Sequence, residues 1–327
     1  MIPFSVLDVT PILDGGDAAL SFKNTLDLAR HVERWGYRRY WIAEHHNMPG
    51  VASAATAVVI GHVAGGTTHL RVGAGGIMLP NHSPLVIAEQ FGTLESLYPG
   101  RIELGLGRAP GTDPLTTRAL RRHLNPEADT FPNDVVELMR YFQPGDFPER
   151  VRAVPGRGLN VPIWILGSSL FGAEFAAQLG LPFAFASHFA PALMAQAIGV
   201  YRSRFRPSEG LAQPYVMLGV HVFAADTDAE AQQHFTSVQQ YFMKLRRGRP
   251  GTLPPPQPGF FQTLSPLEQA SVNETLACSM VGSPGTVKRE LEQFIERTHA
   301  DELIITTLIF DHAARLRSYE LTAQLRD

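Results

Sequence analysis

The chain has 327 residues, 44% of them hydrophobic and 18% charged, with a formal net charge of −3. That length allows one large core or two ordinary domains, while dispersed charge without a basic stripe excludes a nucleic-acid backbone or a membrane surface as partner. The single cysteine, Cys278, leaves no internal disulfide and no zinc knuckle, and Met1-Ile2-Pro3-Phe4-Ser5 lacks the basic start of a signal peptide, so a reducing, cytoplasmic setting is expected.

Short apolar strand patterns alternate with helical ones from end to end. In chain order the pattern predicts strands at 4–9, 39–43, 70–78, 102–106, 163–166, 183–186, 216–224 and 302–307. Helices are predicted between them at 18–35, 53–65, 85–97, 134–142, 171–178, 191–205, 228–245 and 286–299, with a last one at 313–325. The most apolar helix, around 52–66, is interrupted by His62 and too short to span a bilayer. Eight strands in strict βα alternation predict an α/β fold of TIM-like (β/α)8 type, one domain over 1–327, with an open doubly wound sheet as the alternative. Insertions are expected after strand 4 and before the last helix–strand unit. The stretch 112–157 is polar and should add helices, whereas 246–266 includes RRGRPGTLPPPQPG, which reads as irregular and as a mobile loop or a plain connector.

The segment Arg71–Asp113 is the most informative. Gly73, Gly75 and Gly76 strip side chains from a strand end where something approaches the backbone, and a bulge is expected there. The following helix, introduced by Pro84, leads through Pro99-Gly100 to a second strand ending in Gly105, Gly107, Arg108 and Gly111. A dinucleotide fingerprint fails here on spacing, because the third glycine falls one residue late and a turn follows it.

In such a barrel the reactive groups follow the C-terminal ends of the strands. Strand 2 ends in Glu44-His45-His46. Adjacent strand residues face opposite ways, so this run does not by itself gather metal ligands, and no metal is expected. One histidine at the mouth suits proton transfer, its ordinary pKa being about 6.5. Strand 5 ends in Leu166-Gly167-Ser168-Ser169 ahead of a helix, a place for a phosphate that Arg108 on the neighbouring strand could share; an ordinary serine cap is the plainer alternative. Ser187 and His188 follow strand 6. A phosphate end, a flat wall at Gly75-Gly76 and a histidine describe a mononucleotide cofactor with a planar head group, such as a flavin. Phe4, Phe185 and Phe189 are expected near an apolar mouth, implying a partly hydrophobic small-molecule substrate.

These motifs together resemble the bacterial luciferase-like monooxygenase family over essentially the whole chain. The carrying residues are Tyr40-Trp41-Ile42-Ala43-Glu44-His45-His46, Ala74-Gly75-Gly76-Ile77-Met78, Pro99-Gly100-Arg101, Gly105-Leu106-Gly107-Arg108, Leu166-Gly167-Ser168-Ser169, Val281 to Pro284 and Ala300-Asp301-Glu302-Leu303. The resemblance implies a two-component enzyme that takes reduced FMN from a separate flavin reductase, reacts it with O2, and uses the flavin C(4a)-hydroperoxide on an organic substrate. It makes His45 the catalytic histidine. It places Ala74, Gly75 and Gly76, with a non-proline cis peptide, under the flavin ring, and Arg108, Ser168 and Ser169 on its phosphate. It also gives a mobile loop at 246–266 and a homodimer through the helices after strands 2 and 3. The alternatives are a deazaflavin-dependent hydride-transfer enzyme and a non-catalytic flavin-binding protein, the latter opposed by His45. Gly107 and Gly167 stand where the luminous members carry a cysteine and an acidic residue, so light emission and a long-chain aldehyde substrate are not implied.

Overall fold

The computed structural model describes residues 1–120, 129–145 and 151–326. Eight parallel strands close into a barrel: β1 (Phe4–Asp8), β2 (Arg39–Ile42), β3 (Arg71–Met78), β4 (Ile102–Gly107), β5 (Ile163–Gly167), β6 (Phe183–Phe185), β7 (Val216–Ala224) and β9 (Glu302–Thr306). β9 completes the ring by pairing with both β1 and β7. A further strand, β8 (Ser279–Gly282), lies outside the closed ring on the upper half of β7, pairing from His221 to Ala224.

The helices lie between successive strands: α1 (Ala18–Arg34), α2 (Thr56–Gly65), α3 (Pro84–Leu97), α4 (Pro114–Leu120), α5 (Phe131–Phe142), α6 (Leu170–Leu179) and α7 (Met194–Arg204). After β7 come α8 (Asp228–Arg246), α9 (Phe260–Thr263) and α10 (Pro266–Thr275); α11 (Pro284–Thr298) leads into β9 and α12 (His312–Gln324) ends the chain. Local chemistry sets several starts. Asp17, Thr227 and Asp311 cap α1, α8 and α12, and Ser265 with Glu268 forms a reciprocal capping box on α10.

Alternation along each strand sends one set of side chains outward and the other inward. Tyr40, Ile42, Val72, Leu104 and Ile165 pack outward against the helix stripes of Leu28, Val32, Ile60, Val63, Ile87 and Phe91. Inside, Leu7, Trp41, Trp164, Met217 and Ile304 fill the barrel, the two indoles meeting edge to face at 5.2 Å. Below them an ionic plug closes the N-terminal end. Arg39 lies 2.9 Å from both Glu103 and Glu302, Trp41 Nε1 donates to Glu103, and Tyr215 donates to Glu302. A third apolar cluster, with Phe223, Leu253, Leu264, Leu308 and Ile309, covers part of the opposite end. The last helix is fastened to the first strand by the buried pair Arg315–Asp8 at 2.8 Å, with Tyr40 and Thr25 also donating to Asp8.

Three elements escape the sequence pattern, β8, α9 and α10, while α4 falls in the stretch expected to add helices. β8 is only four residues long, and although its burial alternates, its sequence Ser-Met-Val-Gly does not alternate apolar with polar residues. Within the segment read as irregular, 246–259, Leu253 bridges Leu13 and is buried, its backbone exchanging hydrogen bonds with Ile12 and Asp14 at 2.8 and 2.9 Å. Of the polar stretch 112–157, residues 121–128 and 146–150 lie outside the described residues. Phe4 and Phe185, expected at the mouth, instead belong to the core between barrel and helices, fully or almost fully buried, because their strand parity turns them outward.

Truncating one member of the plug leaves charges without their partner in a dry interior. Arg39→Ala is therefore expected to cost about 3–5 kcal/mol, read as a lowered urea midpoint, while Arg38→Ala at the exposed rim changes little.

Candidate active site

The site begins where β3 and β4 come together. A Cβ on Gly105 would lie 2.3 Å from the Ala74 carbonyl oxygen, and one on Gly76 would lie 2.7 Å from the Gly105 oxygen. Both would strike backbone, which cannot yield as a side chain can. The register between β3 and β4 shifts between Ala74 and Ile77, forming the expected bulge, and the Gly75–Gly76 peptide is cis. Inside the barrel Gly75 sits on Leu7 and Trp41, while Leu166 flanks Gly76 and Gly105. Ala74 is fully buried with its side chain in the outer core, so only its backbone belongs to this bare ledge.

Directly after β2, Glu44 is buried and His45 and His46 are partly so. The Nδ1 of His45 faces the Gly111 carbonyl oxygen at 3.3 Å. An oxygen there requires an N–H, which leaves the lone pair on Nε2. Burial lowers the pKa of His45, against the opposing pull of the Gly111 carbonyl and the Glu44 charge, so the ring is neutral at neutral pH. The loop carrying Gly111 is laid over this strand end by Thr112 donating to the His46 carbonyl at 2.8 Å and Asn81 donating to the Pro110 carbonyl at 2.8 Å.

Glu44 is a hub. Its Oε1 accepts from Nε2 of His46 and Nε2 of His82, both at 2.8 Å, and its Oε2 accepts from the Met78 amide at 3.2 Å. Burial would raise its pKa, but the two imidazoles outweigh that and hold the carboxyl below its ordinary value. The ligand-type atoms of Glu44, His46 and His82 lie within 4.8 Å of one another. The expectation of no metal rested on the alternation of the Glu44-His45-His46 run and on the lack of a supporting cluster in the sequence; His82 joins this group from another element, and here both histidines donate to the carboxylate.

At the other side of the mouth, Ser168 and Ser169 are exposed and Ser169 caps α6 without using its side chain. Gly167 packs against Gly172 and lets α6 start close to the strand. Arg108 reaches the same end of α6: its guanidinium lies 4.1 Å from the centre of the Phe171 ring and pairs with Asp129 at 2.8 Å. Two serine hydroxyls, unspent helix amides and a guanidinium are donors suited to a phosphate. Ser187 is buried, its hydroxyl donating to the Gly219 carbonyl at 2.6 Å, which ties β6 to β7. His188 fills the space that Gly219 leaves, since a Cβ there would lie 2.2 Å from its Nδ1. Its ring meets Phe189 at 4.8 Å and His221 at 5.7 Å, and burial lowers the pKa of both histidines, that of His221 to about 4.

The bare ledge, a neutral histidine and a phosphate-type donor set thus share one barrel mouth. A family model described as Luciferase-like monooxygenase matches residues 2–302. The chain belongs to that family. A luciferase-like monooxygenase of Escherichia coli K12 is 55% identical over 326 residues, spanning 100% of this chain and 97% of its own. The crystal structure of apo-MsnO8 is 34% identical with a TM-score of 0.89, covering 100% of this chain and 98% of its own. The oxygenating constituent of 3,6-diketocamphane monooxygenase from Pseudomonas putida, solved in complex with FMN, has a TM-score of 0.76 over 99% of this chain and 97% of its own. At 15% identity that likeness shows a shared fold. Within this family the chain is an oxidoreductase of the monooxygenase class, with a flavin-type cofactor.

Two residues of the luciferase-like site escape a reading of strand ends. His82 sits four residues beyond β3, in a short 3₁₀ turn and its cap before α3, and reading past Pro80 would have found it. His221 lies inside β7, whose nine residues carry it to the mouth.

The ledge yields a direct test. Gly105→Ala is expected to lower stability by about 1–3 kcal/mol, because its methyl meets the Ala74 carbonyl. Gly199→Ala, where a Cβ meets nothing within 4 Å, serves as the control in the same urea titration.

Proposed function

We propose that this protein is the oxygenating component of a two-component system, using reduced FMN delivered by a separate reductase to place one atom of O2 on a small, partly hydrophobic organic substrate. The observation that carries the reading is the side-chain-free ledge at Gly75, Gly76 and Gly105, where β3 and β4 approach too closely for a Cβ, in the same mouth as His45. When bound, reduced FMN supplies the electrons that activate O2. FMN-bound and F420-dependent enzymes share this fold, so the choice of FMN over a deazaflavin rests on the match to the monooxygenase family.

Each residue has a part. Arg108, Ser168 and Ser169 fit the terminal phosphate and anchor the cofactor through charge-assisted hydrogen bonds. The backbone of Ala74 to Gly76, with Leu166, fits the ring system, and Gly167 lets the α6 amides approach. His188 and Phe189 form the wall opposite, Ser187 acting from behind through the β7 backbone. His45 takes or returns a proton at Nε2, its Nδ1–H being held by Gly111. The exposed Val58 on α2 and Val86 and Leu97 on α3 support association of two copies through these adjacent helices.

The deciding experiment titrates the protein anaerobically with reduced FMN and then admits O2, with reduced deazaflavin in parallel. Tight FMN binding with flavin oxidation slowed relative to free solution supports the reading. Preference for the deazaflavin with no oxygen requirement overturns it. Arg108→Ala is expected to weaken FMN binding about tenfold or more, since charge-assisted hydrogen bonds are worth about 1.5–3 kcal/mol, and to leave riboflavin binding unchanged. Once a substrate is found, His45→Ala should slow its oxygenation about 10²–10⁴-fold. In the unaltered protein the acid limb of the pH profile should fall below the ordinary histidine value of about 6.5, because burial disfavours the protonated ring.

A further inference from the structure

His46 and His82 have no assigned part in the chemistry, yet both converge on a carboxylate one residue from His45. Glu44 side-chain exposure is 1%, against 15% for His46 and 25% for His82. Its two oxygens join three pieces of chain that meet at the mouth. One is the end of β2, through His46 at 2.8 Å. Another is β3 just past the ledge, through the Met78 amide two residues beyond Gly76. The third is the turn before α3, through His82 at 2.8 Å.

Alternatives for holding these pieces are limited. β2 and β3 pair only up to Ile42 and Ala74, so above that level the strands share no ladder. Met78 still pairs with Gly107 of β4, but its amide is given to Glu44. Across that gap, among the described residues, the carboxylate bonds the His45 segment to the ledge. It is also a fixed negative charge beside the His45 ring. The other groups facing that ring are the Gly111 carbonyl, His46 and, from β6, His188.

We infer that Glu44, braced by His46 and His82, is the positioning group of this site, locking the His45 segment to the Gly75–Gly76 ledge and setting the charge that His45 senses. His46 and His82 are positioning residues. Each donates through Nε2, so a glutamine, which keeps an N–H at a similar reach, retains part of the role, while alanine removes it. The inference concerns the roles in the reading given above, but its test needs no oxygen chemistry.

The test follows the full-length protein by NMR of 15N-labelled histidine side chains, with anaerobic binding of reduced FMN measured alongside. Glu44→Gln keeps the size of the side chain and removes its charge, so the His45 titration midpoint is expected to move to lower pH. His82→Ala should weaken reduced-FMN binding several-fold and shift the His45 midpoint, and His82→Gln should restore at least half of either change. The far-ultraviolet spectrum and urea midpoint identify any variant that has lost its fold, in which case the glutamine variants alone decide. A His45 midpoint and an FMN affinity that stay within error in folded Glu44→Gln and His82→Ala overturn the inference. So does a chelator-dialysed wild type that regains FMN binding only when Zn2+ is returned, which would make the cluster a metal site. Failure of the oxygenase reading would appear separately, as normal positioning effects with no flavin-dependent oxygen reaction.

Discussion

The architecture of the mouth depends on how closely β3 and β4 approach one another. In an ordinary parallel pair the strands are held apart by their ladder and each residue keeps its Cβ. Here a Cβ on Gly73 would meet the Glu103 carbonyl oxygen at 2.5 Å, and Gly76 and Gly105 face the same limit from opposite strands. The bulge between Ala74 and Ile77 follows, because the two strands cannot keep step through a stretch in which the backbone of one sits against the backbone of the other. A flat, uncharged surface at the C-terminal end of a barrel is the result. Flat ligands suit such a surface, and no set of side chains would have provided it.

The two ends of the barrel are chemically opposite. At the N-terminal end Arg39 is shared between Glu103 and Glu302, with Trp41 and Tyr215 also donating to those carboxylates, and nothing there is left to react. At the C-terminal end, beside the engaged Glu44 cluster, polar groups keep capacity for a ligand: His45 has a free ring nitrogen, the Ser169 side chain makes no cap bond, and Arg108 pairs at the surface with Asp129. Buried ion pairs contribute little net stability once desolvation is counted, so the plug is better understood as fixing register among β2, β4 and β9 than as a source of strength.

Much of this was legible in the sequence because its signals are local. Periodicity marked all eight barrel strands, and proline and glycine marked the helix ends. The rule that chemistry follows strand ends led to His45, Arg108 and the Gly167-Ser168-Ser169 turn. What remained hidden depends on contacts between distant segments. Strand parity sent Phe4 and Phe185 into the outer core, which needs the register and not the hydrophobicity. His82 joins Glu44 across 38 residues. Leu253 is buried by pairing with Leu13, and no feature of a proline-rich stretch announces that partner. β8 is held by β7 and would have little reason to be extended alone.

The position of β9 has a consequence for synthesis. β1 is made long before its second partner, residues 302–306. Until that strand leaves the ribosome, β1 and β7 both present open edges, and Asp8 lacks the Arg315 that neutralises it. Until then the nascent chain carries an incomplete sheet whose open edges can pair with other chains. A truncation before residue 302 would remove the strand that closes the barrel, and one between β9 and residue 315 would keep that strand but leave Asp8 buried without its guanidinium.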